Sequence, residues 1–140
     1  LRRAYGAVIV KNDEIISTGY NGAPRGRANC TDLKRCVREE MQVPSGKQYE
    51  LCRSVHAEQN AIISASRKDL IDSTLYLAGK DVKTGEYTEY NRPCTMCTRF
   101  IINAGIKNLV IRDDKDRYRT VEVKEYIEND DTIPEVIVWK

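Results

Sequence analysis

The spacing of apolar positions along the chain predicts short strands and helices in alternation. Tyr5 to Val10 and Glu14 to Tyr20 are β-rich runs on either side of the turn pair Asn12 and Asp13, and together they predict an antiparallel hairpin. Ser73 to Ala78 and Lys107 to Arg112 predict two further strands. A helix is predicted from His56 to about Lys68, with Ala57, Ala61, Ile62 and Ala65 as a small apolar face. A second runs from Pro93 to Ala104, with Phe100, Ile101 and Ile102 expected inside and Gly105 as its C-cap. Strand, helix, strand, helix, strand predicts β-α-β crossovers and a sheet covered on its faces, an α/β chain. Beyond Asp113 the pattern weakens: Val121 to Asn129 predicts a short helix, and Val136 to Trp139 a last strand or docking tail.

Two stretches interrupt the alternation. Asn21 to Arg27 is a loop by composition, and beyond connecting strand to helix it can serve a ligand: its glycines allow close backbone approach, and Asn21, Arg25 and Arg27 offer donors to a sugar or phosphate. Residues 28 to 53 are irregular and hold Cys30, Cys36 and Cys52, which are either free thiols or part of a second, structural zinc site. Tyr118, between Arg117 and Arg119, is either a surface tyrosine or a face against which a planar base can lie.

The chemistry is concentrated at the two helix starts. His56, the chain's one histidine, precedes Glu58 by two residues, and Pro93 leads Cys94 and Cys97. Cys94 and Cys97, at i and i+3, share a helical face and can grip one metal ion, with His56 as third ligand and a fourth tetrahedral position open. An open position distinguishes a catalytic zinc from a closed structural one. Residues two apart do not share a helix face, so His56 must turn to the metal off the helix end while Glu58 turns to the water held there. Both helix dipoles then favour thiolate over thiol, and Pro93 suits a first turn, where its missing N–H costs nothing. Glu58 is the expected acid/base, and a purely structural zinc would need no such residue. The pattern H-x-E, followed by P-C-x-x-C after 34 intervening residues, is a signature of zinc nucleobase deaminases.

Composition narrows the class. A chain of 140 residues is one domain's worth, 1–140, with 41% hydrophobic and 31% charged residues, ordinary for a globular protein. No apolar run approaches the roughly 20 residues that span a bilayer, and no signal-peptide pattern opens the chain, so a cytoplasmic protein without a membrane partner is expected. The chain opens on Leu1 and enters a strand within about five residues, so a preceding segment is expected. Five cysteines fit reduced thiols serving a metal better than a disulfide framework. Net charge is +2, but residues 1–53 carry ten basic and six acidic side chains, against five and nine in residues 113–140. That acidic end is a poor platform for nucleic acid.

The chain resembles the zinc-dependent cytidine and deoxycytidylate deaminase superfamily, most closely its deoxycytidylate (dCMP) branch. The resemblance rests on Gly6 to Val10, Ile15 to Pro24 (IISTGYNGAP), Cys52 to Ile62 (CRSVHAEQNAI) and Pro93 to Cys97 (PCTMC), within residues 5 to 112. It implies a three-layer α/β/α sandwich around a five-stranded mixed sheet, and a homo-oligomer, commonly a hexamer. It also implies a Zn2+ cofactor and hydrolysis of dCMP to dUMP and ammonia, with dCTP and dTTP as possible effectors. Asn21 would contact the sugar, the backbone at Ala57 would read the base edge, and Tyr118 would stack on the ring; Arg25 is added for the phosphate on loop charge alone. Some relatives place a histidine of a second zinc site where Ser54 stands. The alternatives are deamination of another cytosine nucleoside or base, or of tRNA adenosine, and a non-catalytic zinc module of a DNA-uptake system.

Overall fold

The computed structural model describes residues 2–44, 46–89 and 91–130. The hairpin forms as expected: β1 (Arg3–Lys11) pairs antiparallel with β2 (Glu14–Tyr20), and Asn12 and Asp13 between them both take positive φ, 52° and 60°. That backbone matches the right-handed twist of the flanking strands, and Asn and Asp tolerate it well. Then come α1 (Cys30–Leu33), α2 (Val37–Glu40), a 3-10 turn at Tyr49–Leu51, α3 (Ala57–Ile63) and α4 (Arg67–Leu70). They are followed by β3 (Thr74–Asp81), α5 (Thr95–Ala104), β4 (Asn108–Arg112), β5 (Tyr118–Glu122) and α6 (Val123–Glu128).

The five strands make one mixed sheet in the order β2-β1-β3-β4-β5. β1 runs antiparallel to both neighbours, β3 and β4 are parallel, and β5 returns antiparallel to β4. A parallel pair needs a crossover, and α5 provides it. β2 and β3 point the same way, so α3 after β2 and α5 after β3 both begin beyond the same end of the sheet. That shared end is why two motifs 34 residues apart in sequence meet. Period-2 alternation sends Ala7 and Ile9 of β1, Leu75 and Leu77 of β3, and Leu109 and Ile111 of β4 to one face, where they join Ala57, Ala61, Ile101 and Ala104 in a continuous core.

Four expectations are corrected. The first site helix ends at Ile63, short of Lys68: the Ser64 hydroxyl donates back to the Asn60 carbonyl, and Ser66 caps the separate α4 by accepting from the Asp69 amide. Phe100 is exposed, because the inward stripe of α5 runs through Cys97, Ile101 and Ala104, four and three residues apart; Ile102 is half-buried. Tyr118–Glu122 is a strand, which delays the last helix to Val123; Val121 sits opposite Leu109 in the ladder instead of opening a helix. The irregular stretch 28–53 contains three short helical turns. Val136 to Trp139 lies outside the described residues.

Candidate metal and catalytic site

α3 is seated on β2 by contacts that leave no slack. Gly19 lies so close to the helix that a Cβ there would stand 2.3 Å from the Ala57 carbonyl oxygen and 2.5 Å from the Ala61 nitrogen. The Ser17 hydroxyl donates to the Ala61 carbonyl at 2.7 Å, and the Asn60 amide to the Tyr20 carbonyl at 2.7 Å. Gly22 and Val55 exchange backbone hydrogen bonds of 3.2 and 2.7 Å, tying the approach to His56 to the end of β2. His56 is the N-cap of α3 in extended conformation, φ −75° and ψ 155°, with its amide donating to Gln59 Oε1 at 2.8 Å. Its side chain therefore leaves the helix axis before the helical period begins, which resolves the spacing problem posed by His56 and Glu58.

Cys94 plays the corresponding part for α5. It caps the helix, its Sγ accepting from the Cys97 amide at 3.4 Å, behind the fully buried Pro93. Nδ1 of His56 lies 3.5 Å from Cys94 Sγ and 3.2 Å from Cys97 Sγ, and the three atoms fall within 4.8 Å of one another. A tetrahedral zinc with ordinary Zn–N and Zn–S lengths has N···S edges of about 3.6 Å, so one imidazole and two sulfurs at these separations fit that ion. Without a metal, these groups hold protons in common. The thiol of Cys97, with the imidazole, holds Cys94 down to about 4, while Cys94 and burial push Cys97 up. His56 is raised to about 10, first by the Cys52 thiol beside it and then by Cys94; Cys52 is lowered to about 7, first by His56. A cation entering here takes the place of the shared protons and releases them.

Glu58 is 6% exposed, and burial pushes its carboxyl above the usual range, against its own backbone amide and Cys97, which favour the charged form. His56, Ala57, Glu58 and Cys94 line a cavity of about 550 Å³ whose far wall is the 28–53 excursion, including Cys30, Cys36 and Cys52. The lining is strongly cationic: Lys34, Arg35 and Arg38 of that excursion and Arg2, Arg3 and Lys83 from elsewhere in the chain stand against Glu39 and Glu58. Arg35 is held by Glu40 through two bonds of 2.8 and 2.9 Å, whereas no ion-pair partner is found for Lys34 among the described residues.

The residues singled out in the sequence divide into two sets. His56, Ala57, Glu58, Cys94 and Asn21 line the cavity, and Cys97 lies buried against His56. The Asn21 amide is committed to β1: its oxygen accepts from the Tyr5 amide at 2.9 Å and its nitrogen donates to the Arg3 carbonyl at 3.0 Å. Arg25 and Arg27 are exposed on their loop and do not line the cavity. Tyr118, 69% exposed, borders a separate depression with Glu89, Asp113, Asp116 and Arg117. Cys30, Cys36 and Cys52 form no second metal cluster; among the described residues the one such trio is His56, Cys94 and Cys97. Sequence reasoning missed the cationic wall and the seat of α3. Gly19 sat inside a quoted motif, but nothing local says what its missing Cβ admits.

A crossover α/β sheet that brings a His-Cys-Cys trio and a buried carboxylate together at two helix starts is the arrangement of a zinc-binding α/β domain. The chain is a member of the cytidine and deoxycytidylate deaminase zinc-binding family, whose model matches residues 2–112. Over 113 residues it is 37% identical to the deoxycytidylate deaminase of Mycobacterium phage D29, covering 78% of this chain and 77% of that one. The deoxycytidylate deaminase of Schizosaccharomyces pombe is 32% identical over 110 residues, 79% of this chain but 30% of the yeast protein. Among solved structures, dCMP deaminase from the cyanophage S-TIM5 in complex with dCMP and dUMP aligns with a TM-score of 0.50 at 28% identity, covering 77% of this chain and 64% of that one.

Proposed function

We propose that the protein hydrolyses dCMP to dUMP and ammonia, supplying dUMP for thymidylate synthesis, with zinc held by His56, Cys94 and Cys97. The observation that carries this reading is the convergence of those three side chains with the buried Glu58 at one cation-lined cavity. Zinc bound there supplies Lewis acidity, which brings proton loss from the attacking water toward neutral pH. The chain's own residues do the rest. Glu58 accepts the water's proton and passes it to ring N3 as oxygen adds at C4; it then carries a proton to the departing amine, and ammonia leaves as the C4 carbonyl forms. Its raised affinity for a proton suits a group that must take one up and give it back near neutral pH. Ala57, first residue of α3 and facing the cavity, offers its backbone to the base edge. Asn21 fixes the wall on the sugar side by pinning the loop to β1. The phosphate is drawn by the cations lining the cavity; Arg25, exposed on its loop, and Tyr118 do not line it.

The reading extends to a cytoplasmic homo-oligomer, a hexamer by resemblance, answering to dCTP and dTTP; sedimentation with and without each nucleotide tests that extension. The decisive experiment is ammonia release by zinc-loaded protein from dCMP, beside deoxycytidine, CMP and a tRNA, each with and without dCTP. Selective turnover of dCMP is the expected result. Turnover of the nucleoside or the RNA alone keeps the chemistry and replaces the substrate. Silence on all of them, with zinc tightly bound, makes the protein a non-catalytic zinc module.

A further inference from the structure

His56 is the N-cap of α3, its side chain turned to the Gln59 backbone amide in a capping box, so the ring lies outside the helical period and its remaining orientation is set by what packs against it. The ring of Tyr49 meets the His56 ring edge-on, with centroids 5.7 Å apart and planes at 87°. The Arg38 guanidinium lies over the tyrosine ring, 4.7 Å from its centroid. Arg38 is itself anchored: one terminal nitrogen donates to the carbonyls of Pro44 and Lys47 at 3.1 and 2.8 Å, and its Nε is shut off from solvent. From this file of contacts we propose that Tyr49, braced by Arg38, is a positioning residue for the metal site, holding the His56 ring so that Nδ1 faces Cys94 and Cys97.

The physical argument is one of order. Metal-bound histidines usually owe their orientation to a neighbour on the far side of the ring, and loss of that neighbour typically lowers metal affinity about 10–100-fold. Edge-to-face aromatic contacts have a preferred geometry as well as an energy, so a tyrosine fixed by a guanidinium adds orientation to that given by the Cys52 thiol beside the ring. Among the described residues the partners of Arg38 are two backbone carbonyls and the aromatic face, which directs the cation at the ring. The 28–53 excursion thereby gains a task beyond walling the cavity: it sets the aim of the third metal ligand.

The inference rests on His56 being a zinc ligand, and the experiment separates the two claims. Zinc affinity is measured by chelator competition, and the visible bands of the Co2+-substituted protein report ligand geometry, neither of which requires turnover. In Tyr49→Leu, zinc affinity falls at least about 10-fold and the cobalt bands shift, while Tyr49→Phe keeps both at the parent level. Arg38→Met, which leaves the tyrosine unbraced, weakens zinc to a lesser degree. Parent-like affinity and bands in Tyr49→Leu overturn the proposal. Should that variant fail to fold, parent-like zinc affinity in Arg38→Met overturns it. If His56→Ala in the same assay leaves zinc binding untouched, the metal assignment itself is what fails.

Discussion

Replacing Gly19 with alanine tests the claim that the close seat of α3 on β2 is what aims the catalytic groups. The added methyl would stand 2.3 Å from the Ala57 carbonyl oxygen and 2.5 Å from the Ala61 nitrogen, both backbone atoms that no side-chain rotation can clear. Ordinary contact begins near about 3.5 Å, so the helix must retreat by roughly 1 Å. The retreat carries His56 and Glu58 with it but not Cys94 and Cys97, which belong to α5. A misplacement of that size costs on the order of 10²-fold in reaction rate, and overpacking costs about 1–3 kcal/mol. For a chain of this length that is a fall in melting temperature of roughly 3–10 °C. The assay is kcat/KM for dCMP with the zinc content checked, beside thermal melting. Gly6→Ala is the control, because its methyl meets nothing within 4 Å, and both quantities should stay at the parent level. Parental turnover and melting in Gly19→Ala would refute the reasoning.

Three further outcomes are expected. Glu58→Gln keeps zinc and loses activity by orders of magnitude. Because burial raises the Glu58 carboxyl above its ordinary 4.5, its ionisation opposes folding as pH climbs; the metal-free glutamine variant should melt above the parent at pH 7, with the gap closing as pH drops below 4.5. A gap that persists in acid would show another cause. Stripping the metal should abolish turnover, lower the melting temperature and expose Cys94, held down to about 4, to alkylation at pH 6 ahead of the buried Cys97; zinc should reverse all three, as read by peptide mass mapping. Ser17→Ala removes the 2.7 Å bond to the Ala61 carbonyl, a loss of about 1 kcal/mol that denaturant unfolding should register as a lower midpoint with an unchanged slope.

Much of the site was legible before the fold was known, because ligand chemistry is local. An imidazole and a carboxylate at one helix start, and a proline with two thiols at another, carry their roles in residue type and spacing. The β-rich run Tyr5 to Val10 and the Asn12-Asp13 turn were equally local, and the hairpin followed from them. Where two local tendencies competed, the outcome lay beyond such reasoning: Ser64 and Ser66 end and restart a helix that apolar spacing alone would have prolonged.

By itself, then, the sequence picked out His56, Cys94 and Cys97 as residues that can hold a cation, with the strand and helix starts that carry them. Only the tertiary structure decided what those groups face. The strand order places both helix starts beyond one end of the sheet, and Ser17 and Gly19 set the distance between α3 and β2. The same long-range packing brings the Arg38 and Tyr49 excursion onto His56, admits Lys34 and Lys83 to the cavity, and leaves Arg25 and Tyr118 out of it. The physical reason is that residue type and helix capping are settled within a few positions. Which distant surfaces meet is set by burial of the shared apolar face, which no single segment contains.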